Sequence, residues 1–326
     1  MRVLVTGGAG YVGSHLVALL VEQGATIVVL DDLRQGHRAA VPGVRLVEAS
    51  IGSAEGLALL ADGPWDAVFH FAALSLVGES VREPLRYLVE NAGAGLRLIE
   101  ACVVNRIPRF VLSSTANLFG EPERVPIDED ARIAPSSPYG ESKLMLERAL
   151  FWAQGRGLHS ACLRYFNAAG ADPDGRLGED HRPETHLIPL VIDAALGRRG
   201  ALSIFGDDYA TPDGTCVRDY IHVTDLAHAH LCALRQVEGR SVTYNLGNGQ
   251  GHSVLEVVAA VERVLCRPVP RMVEPRRPGD PAILVASSDR IRQETGWTPR
   301  LSALDDIVRT AAAWRVTHPD GYPTLA

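Results

Sequence analysis

The sequence lacks the features that mark several protein classes. No basic run exceeds the pairs Arg198-Arg199 and Arg276-Arg277, and 39 acidic against 32 basic side chains leave a formal net charge of -7. Without a positive stripe to track a phosphate backbone, nucleic acid is not expected as a partner. Cysteine is scarce. The five residues Cys102, Cys162, Cys216, Cys232 and Cys266 make an odd number with no C-x-x-C pair, and most lie in apolar runs where a free thiol acts as a small hydrophobe. That composition points to a reducing compartment. The opening MRVLVTGGAG reaches glycines after a few apolar residues, too few for a secretory leader or a spanning helix. The expectation is a cytoplasmic protein without membrane contact. There are no internal repeats and no low-complexity segments.

What remains is an ordinary globular composition, 46% hydrophobic and 22% charged over 326 residues. That length exceeds the size at which one core stops growing, so two lobes are expected. Apolar strand-like runs recur at 2–6, 26–30, 44–47, 66–71 and 109–113, with helix-like stretches between them. The stretch 11–23 places Val12, Leu16, Leu19 and Leu20 on one face and stops before Gly24. Another helix is expected from Pro84 to about 104, and its apolar residues suit either the sheet or a helix bundle with a second copy. Near-continuous hydrophobic strands alternating with helices predict an α/β fold built on a parallel sheet covered on both faces. After 159–166 the alternation weakens, and the Gly/Asp/Pro-rich stretch 170–183 leads toward the second lobe. A strand at 242–246 reads as a return to the sheet, followed by helices near 254–265 and 304–315.

The strongest local signal is Gly7-Gly8-Ala9-Gly10-Tyr11-Val12-Gly13, between the first strand and the first helix. Glycines there let the backbone turn tightly and approach a pyrophosphate held at the helix N-terminus. The second strand ends at Asp31, where a carboxylate accepts from a ribose diol and repels a 2'-phosphate, so NAD is favoured over NADP. Arg34 argues the other way, since a guanidinium could hold that phosphate. A second signal, Tyr139-Gly140-Glu141-Ser142-Lys143, puts a phenol and an ammonium on one helix face. A nearby positive charge lowers a phenol's pKa and suits it to act as a general base; taken alone, the spacing is more often that of a solvated helix pair. Ser113-Ser114-Thr115 follows a strand, where a hydroxyl could orient substrate or simply cap a turn.

Together with HFAALSLVGESV, SSTANLFGE, LRYFNAAGA, ETHLIPLV, SIFGDDYATPDGTCVRDYIHVTDLA, YNLGNG and RRPGD, these motifs run in order along nearly the whole chain. In that order the sequence resembles the UDP-glucose (UDP-galactose) 4-epimerases of the extended short-chain dehydrogenase/reductase superfamily. The resemblance implies a Rossmann-type doubly wound parallel sheet with a smaller mixed α/β substrate-binding domain. Residues 1–166, with the sheet rejoined by about 220–248, would hold NAD; 167–219 and 249–326 would hold a UDP-sugar. It implies that Gly7, Gly10, Tyr11, Val12 and Gly13 cradle the pyrophosphate, Asp31 and Leu33 the adenosine ribose, and that Phe71, Ala72 and Leu74 line the cofactor's path. Tyr139 would be the base, Lys143 its electrostatic partner and nicotinamide-ribose ligand, and Thr115 a hydrogen bond to the sugar's 4-oxygen. Phe166 would lie beside the nicotinamide and Asn167 beside the sugar diphosphate. His186, Ser203, Ile204, Phe205, Arg218, Arg277 and Asp280 would contact the sugar nucleotide, and Leu284 would wall the sugar's C2 substituent.

Ser50, Ser75 and Glu90 depart from the best-known family members near the cofactor and leave its affinity open. His222, His228 and His230 have no carboxylate or cysteine to complete a ligand set, so no metal is expected. A nucleotide-sugar dehydratase is the enzymatic rival, but its relatives place an acidic pair after the threonine where this chain has Ala116 and Asn117. A non-catalytic NAD-binding regulator would be expected to lose Tyr139, Lys143 or Thr115. The implied function is reversible C4 epimerisation of UDP-galactose and UDP-glucose through a 4-keto sugar, with a 4-epimerase acting mainly on UDP-N-acetylhexosamine or UDP-pentose as the alternative and a homodimer as the expected assembly.

Overall fold

A computed structural model describes residues 1–277 and 279–323. The strands are β1 (Arg2–Thr6), β2 (Thr26–Asp31), β3 (Arg45–Glu48), β4 (Ala67–His70), β5 (Arg109–Thr115), β6 (His159–Tyr165), β7 (Asn167–Ala169), β8 (Leu202–Phe205), β9 (Val217–His222), β10 (Val242–Leu246), β11 (Gly251–Ser253), β12 (Arg271–Glu274) and β13 (Ile283–Leu284). Seven of them form one sheet in the order β10-β6-β5-β4-β1-β2-β3, and every pairing in it is parallel. This is the doubly wound Rossmann arrangement, with its order reversing at β1/β4. The strand bounds differ from the sequence reading by a residue or two at their ends, where frayed pairing and turn geometry decide the boundary.

Both faces of the sheet are covered, which is why its strands carry little alternation. Val3, Val5, Val29, Phe69 and Val111 face Leu16 and Leu20 of the Tyr11–Glu22 helix and Leu226 and Leu234 of the Val223–Gln236 helix. Leu4, Val28, Val68, Phe110 and Leu112 face Leu98, Ile99, Leu146 and Leu150 on the opposite side. The helix expected from Pro84 is present but wound in three pieces. Pro84–Tyr87 and Ala94–Val104 are α-helical, and Leu88–Gly93 between them is a wider π-turn, a departure that hydrophobic periodicity does not register. Its face is divided: Leu98 and Ile99 are core, whereas Leu85 and Val89 are 74% and 67% exposed.

The smaller lobe centres on β9, which pairs with β7, β11 and β13, beside the two-stranded pair β8/β12. Its core is formed by the helices Leu187–Ala195, Val254–Leu265 and Leu304–Thr317. Ser253 caps the second of these with a reciprocal Glu256 contact, and its valine stripe Val257, Val258 and Val261 is buried in the core. Buried Asp219 fastens this lobe: its carboxylate accepts from the backbone N–H groups of Asn248, Gly249 and Ala286 at 2.8, 3.0 and 3.1 Å. Burial outweighs those bonds and lifts its pKa to about 6.

Candidate active site

The carboxyl edge of the large sheet carries the glycine turn after β1, Asp31 at the end of β2, Phe71 after β4 and Thr115 at the end of β5. At β1 the glycines divide into two kinds. A Cβ on Gly7, whose φ is +68°, would lie 2.3 Å from the Ala72 nitrogen, and one on Gly13 would lie 2.2 Å from the Gly7 carbonyl oxygen. Both positions require glycine for the chain's own packing. A Cβ on Gly10 would meet only the Gly7 oxygen, at 3.4 Å, and Gly10 has ordinary extended φ and ψ of -80° and 175°. Nothing within the chain demands glycine there. Gly10 is also the N-cap of the Tyr11–Glu22 helix and supplies no side-chain cap, whereas Ser53, Ser137 and Ser253 cap other helices. An uncapped helix start behind an open glycine fits a pyrophosphate. Val12 packs into the core, and the Tyr11 hydroxyl donates to the Gly170 carbonyl at 2.7 Å.

Asp31 ends β2 buried, accepting from the N–H groups of Ala9 and Leu33 at 2.9 Å each. Burial raises its pKa and these two bonds pull it back. Leu33 is held in the left-handed region at φ 57°, a strained conformation that its bond to Asp31 supports. Arg34, the residue that argued for NADP, is engaged by Asp32 at 2.8 Å and by Glu90. Glu90 also takes Arg86 at 3.0 Å. The departure at Glu90 therefore has a partner in this chain, and it occupies the guanidinium that a 2'-phosphate would need. Ser50 and Ser75 are both exposed. Phe71 and Ala72 follow β4 and donate their N–H groups to the Thr6 carbonyl at 2.8 and 3.1 Å. Leu74 is clamped through both backbone groups by the buried Asn91 side chain, at 2.8 and 2.9 Å.

The three hydroxyls closing β5 separate cleanly. Ser113 bonds to the Tyr165 hydroxyl, and Ser114 donates to Glu147 at 2.5 Å, inside a buried Arg164–Glu147 pair. Thr115, also buried, accepts from the Asn117 backbone and amide at 3.2 and 3.1 Å and sits beside the half-buried Tyr139 phenol. Ser137 caps the Pro138–Ala153 helix with proline in its first turn, which presents Tyr139 and Lys143 together. Lys143 is 1% exposed and donates to the Ser113 carbonyl at 2.8 Å, 6.0 Å from the Tyr139 ring centre. This overturns the solvated-pair alternative.

One expectation is corrected. The phenol's pKa is not lowered: burial pushes it up to about 12, and the Thr115 hydrogen bond only partly offsets this. The same burial moves Lys143 in the opposite direction, down to about 8, because its single neutral partner cannot replace water around a charge. Positive charge brought against the phenol lowers its pKa.

The smaller lobe supplies the rest. Phe166 and Leu284 pack on one cluster with Ala116, Phe119 and Ile127, a cluster that includes the residue following Thr115. The Asn167 amide donates to the Asp219 carbonyl at 2.8 Å. Arg218 is paired with Asp280. Arg277 lies 3.9 Å over the Phe205 ring, on the strand that also carries Ser203 and Ile204. His186 is drawn into a different cluster: its Nδ1 lies 2.8 Å from Glu179 and 3.0 Å from Glu184, leaving Nε2 for any sugar nucleotide. Among the described residues, His222, His228 and His230 join no cluster of metal-ligating side chains; His222 and His230 bond to Thr310 and the Leu226 carbonyl. Sequence reasoning missed Asn91, Glu147 and Glu179. Only the last carried a signal, the acid/histidine alternation of Glu179, His181, Glu184 and His186.

Residues 3–247 match the NAD dependent epimerase/dehydratase family. The UDP-glucose 4-epimerase of Halalkalibacterium halodurans is 48% identical over 99% of this chain and 98% of its own length. That of Azospirillum brasilense is 52% identical over 96% and 91%. The crystal structure of UDP-glucose 4-epimerase from Brucella ovis in complex with NAD superposes with a TM-score of 0.91 at 45% identity, covering 96% of this chain and 97% of that one.

Proposed function

From the premise that this chain belongs to the NAD dependent epimerase/dehydratase family, we propose that it is an NAD-dependent UDP-sugar 4-epimerase interconverting UDP-galactose and UDP-glucose. The observation that carries the reading is the convergence of Thr115, Tyr139 and buried Lys143 at the sheet edge that also holds the Gly10 cradle.

NAD fits the residues present: Gly7, Gly10, Tyr11, Val12 and Gly13 would hold its pyrophosphate, Asp31 and Leu33 its adenosine ribose, and Phe71, Ala72, Leu74, Lys143 and Phe166 would flank the rest. When bound, it supplies a hydride acceptor against C4 of the sugar and returns the hydride. Tyr139 takes the 4-hydroxyl proton and gives it back, while Thr115 holds the 4-oxygen by a hydrogen bond. Lys143, fixed by the Ser113 carbonyl, keeps positive charge near the phenol. Asn167, His186, Ser203, Ile204, Phe205, Arg218, Arg277 and Asp280 hold the sugar nucleotide, the arginines matching a doubly charged diphosphate. The site gives no support to dehydration. Ala116 has no proton to exchange, and Asn117 spends its amide on Thr115.

We assign NAD binding to residues 1–166 with the returning β10, and sugar-nucleotide binding to 167–219 and 249–326. A cytoplasmic location accords with five unpaired cysteines and with the absence, among the described residues, of any helix long and apolar enough to cross a membrane. A homodimer is supported by the exposed Val81, Leu85, Val89, Val104, Phe151 and Trp152 on the adjoining 77–104 and Pro138–Ala153 helices. Light scattering should give twice the chain mass, and a Leu85→Glu/Trp152→Glu variant should run as a monomer. The function itself is tested by incubating the purified chain with UDP-galactose and no added cofactor, then separating the nucleotide sugars. Appearance of UDP-glucose is expected, and its absence in a protein carrying NAD would refute the assignment.

A further inference from the structure

We propose that Glu179, His181, Glu184 and His186 form a site for one divalent transition-metal ion of the zinc class, which would close the 179–186 segment on itself beside the start of the first helix. Among the described residues, their ligand atoms all lie within 4.8 Å of one another. Their separations suit an ion. Glu179 Oε1 is 2.8 Å from His186 Nδ1 and 3.1 Å from His181 Nδ1, while Glu184 presents Oε1 at 3.0 Å from His186 Nδ1 and Oε2 at 3.9 Å from His181 Nδ1. A tetrahedron with zinc–ligand bonds of about 2.1 Å has edges of about 3.4 Å, in the middle of that range.

Charge and chemistry agree. The two carboxylate side chains are only 7% and 10% exposed, so two negative charges face each other out of water, a cost that a divalent ion removes. Two imidazoles with two carboxylates make a borderline donor set that favours zinc, cobalt or nickel over calcium or magnesium. A second observation is independent of the cluster's own contacts: Glu184 Oε2 is buried with no hydrogen-bond partner. An orphaned carboxylate oxygen 3.9 Å from the His181 Nδ1 is costly unless something occupies the space between them.

The placement gives the site a purpose. The His181 ring packs edge-on to Tyr11, 6.1 Å between centres, immediately after Gly10. Between the ligands, the Asp180 carbonyl meets His37 Nε2 at 2.9 Å, the Arg182 carbonyl accepts from Gln35 at 3.1 Å, and the Asp180 carboxylate accepts from the Tyr322 N–H at 3.0 Å. The segment therefore joins the loop after β2 to the C-terminal tail across the start of the first helix. A metal ion there would stiffen that strap without touching the reacting atoms.

The competing account is that the imidazoles are protonated and simply pair with the carboxylates. To separate the two, the NAD-loaded protein is treated with a chelator, desalted, loaded with ZnCl₂ or CoCl₂ and desalted again. Metal content, the visible cobalt spectrum and Tm are then read. One equivalent per chain, ligand-field bands of a four-coordinate cobalt ion and a higher Tm with zinc are expected. His181→Ala and the isosteric Glu184→Gln should each lose the stoichiometric ion and the cobalt bands. Absence of stoichiometric metal in the parent chain, or binding that survives both substitutions in folded protein, overturns the proposal.

Discussion

Gly10 and Gly13 stand three residues apart in one motif, yet substituting alanine should break different things. At Gly13 the added methyl meets the Gly7 carbonyl oxygen at 2.2 Å and the Gly8 Cα at 2.9 Å, backbone atoms that cannot rotate aside. Overpacking of that kind costs about 1–3 kcal/mol. At ~2.1 cal/mol/K of unfolding entropy per residue, a 326-residue chain loses about 1.5 °C of Tm per kcal/mol, so Gly13→Ala should melt about 1.5–4.5 °C lower without cofactor. Gly10 is already in an extended conformation open to alanine, with its one neighbour at ordinary contact distance. Freezing out backbone freedom gains ~0.4–1 kcal/mol and a poorer N-cap takes back a similar amount, so Tm should move by less than about 1 °C. The cost appears at the ligand instead. A methyl in the path of the pyrophosphate is again worth about 1–3 kcal/mol, or ~5–150-fold in NAD affinity. The assay is a thermal melt of cofactor-stripped protein beside NAD released per chain on denaturing the purified protein. A Gly10→Ala protein that melts as low as Gly13→Ala while retaining full NAD would refute the division between packing and cradle.

Tyr139→Phe should lower turnover by ~10²–10⁴-fold while UDP-sugar binding, followed by calorimetry, persists, and Thr115→Ala should cost less; unchanged turnover removes the phenol from proton transfer. Lys143 makes the site costly to fold. With its pKa down to about 8 from 10.5, the folded state sheds its proton between about pH 8 and 10.5 while the unfolded chain keeps it, so this penalty fades as pH rises. Cofactor-stripped Lys143→Met should therefore exceed the parent in stability at pH 7 by up to about 3 kcal/mol, with the gap closing toward pH 10 in denaturant titrations. A gap independent of pH contradicts the burial argument. Leu284 should permit N-acetylated sugars at a rate ~10–200-fold below the UDP-glucose/UDP-galactose pair. Leu284→Ala should narrow that ratio and Leu284→Tyr widen it; a ratio indifferent to both moves the wall elsewhere.

How far the sequence carried depended on the range of the interaction concerned. The β/α alternation, the glycine turn and the Tyr139/Lys143 face were legible because each is a local period or a fixed spacing. Assigning Ser113, Ser114 and Thr115 separate duties was not, since their partners lie on β6 and on the Pro138–Ala153 helix. The same distance hid the answer to Arg34, whose partner Glu90 is 56 residues away, and the clamp of Asn91 on Leu74. The tyrosine's pKa was misjudged because a neighbouring lysine can be read from spacing, whereas desolvation is a property of the folded pocket. Ser50 and Ser75 lie exposed, and nothing in the structure explains why these positions differ from other family members.

The central claim is that one closed site removes and restores hydrogen at C4 of a UDP-sugar with no cofactor turnover. UDP-galactose deuterated at C4, incubated with the purified chain and no added cofactor, tests it directly by mass and NMR analysis of the product. UDP-glucose that keeps its deuterium at C4 is the predicted result. Loss of the deuterium to water, or conversion only when NAD or NADP is added, would contradict it.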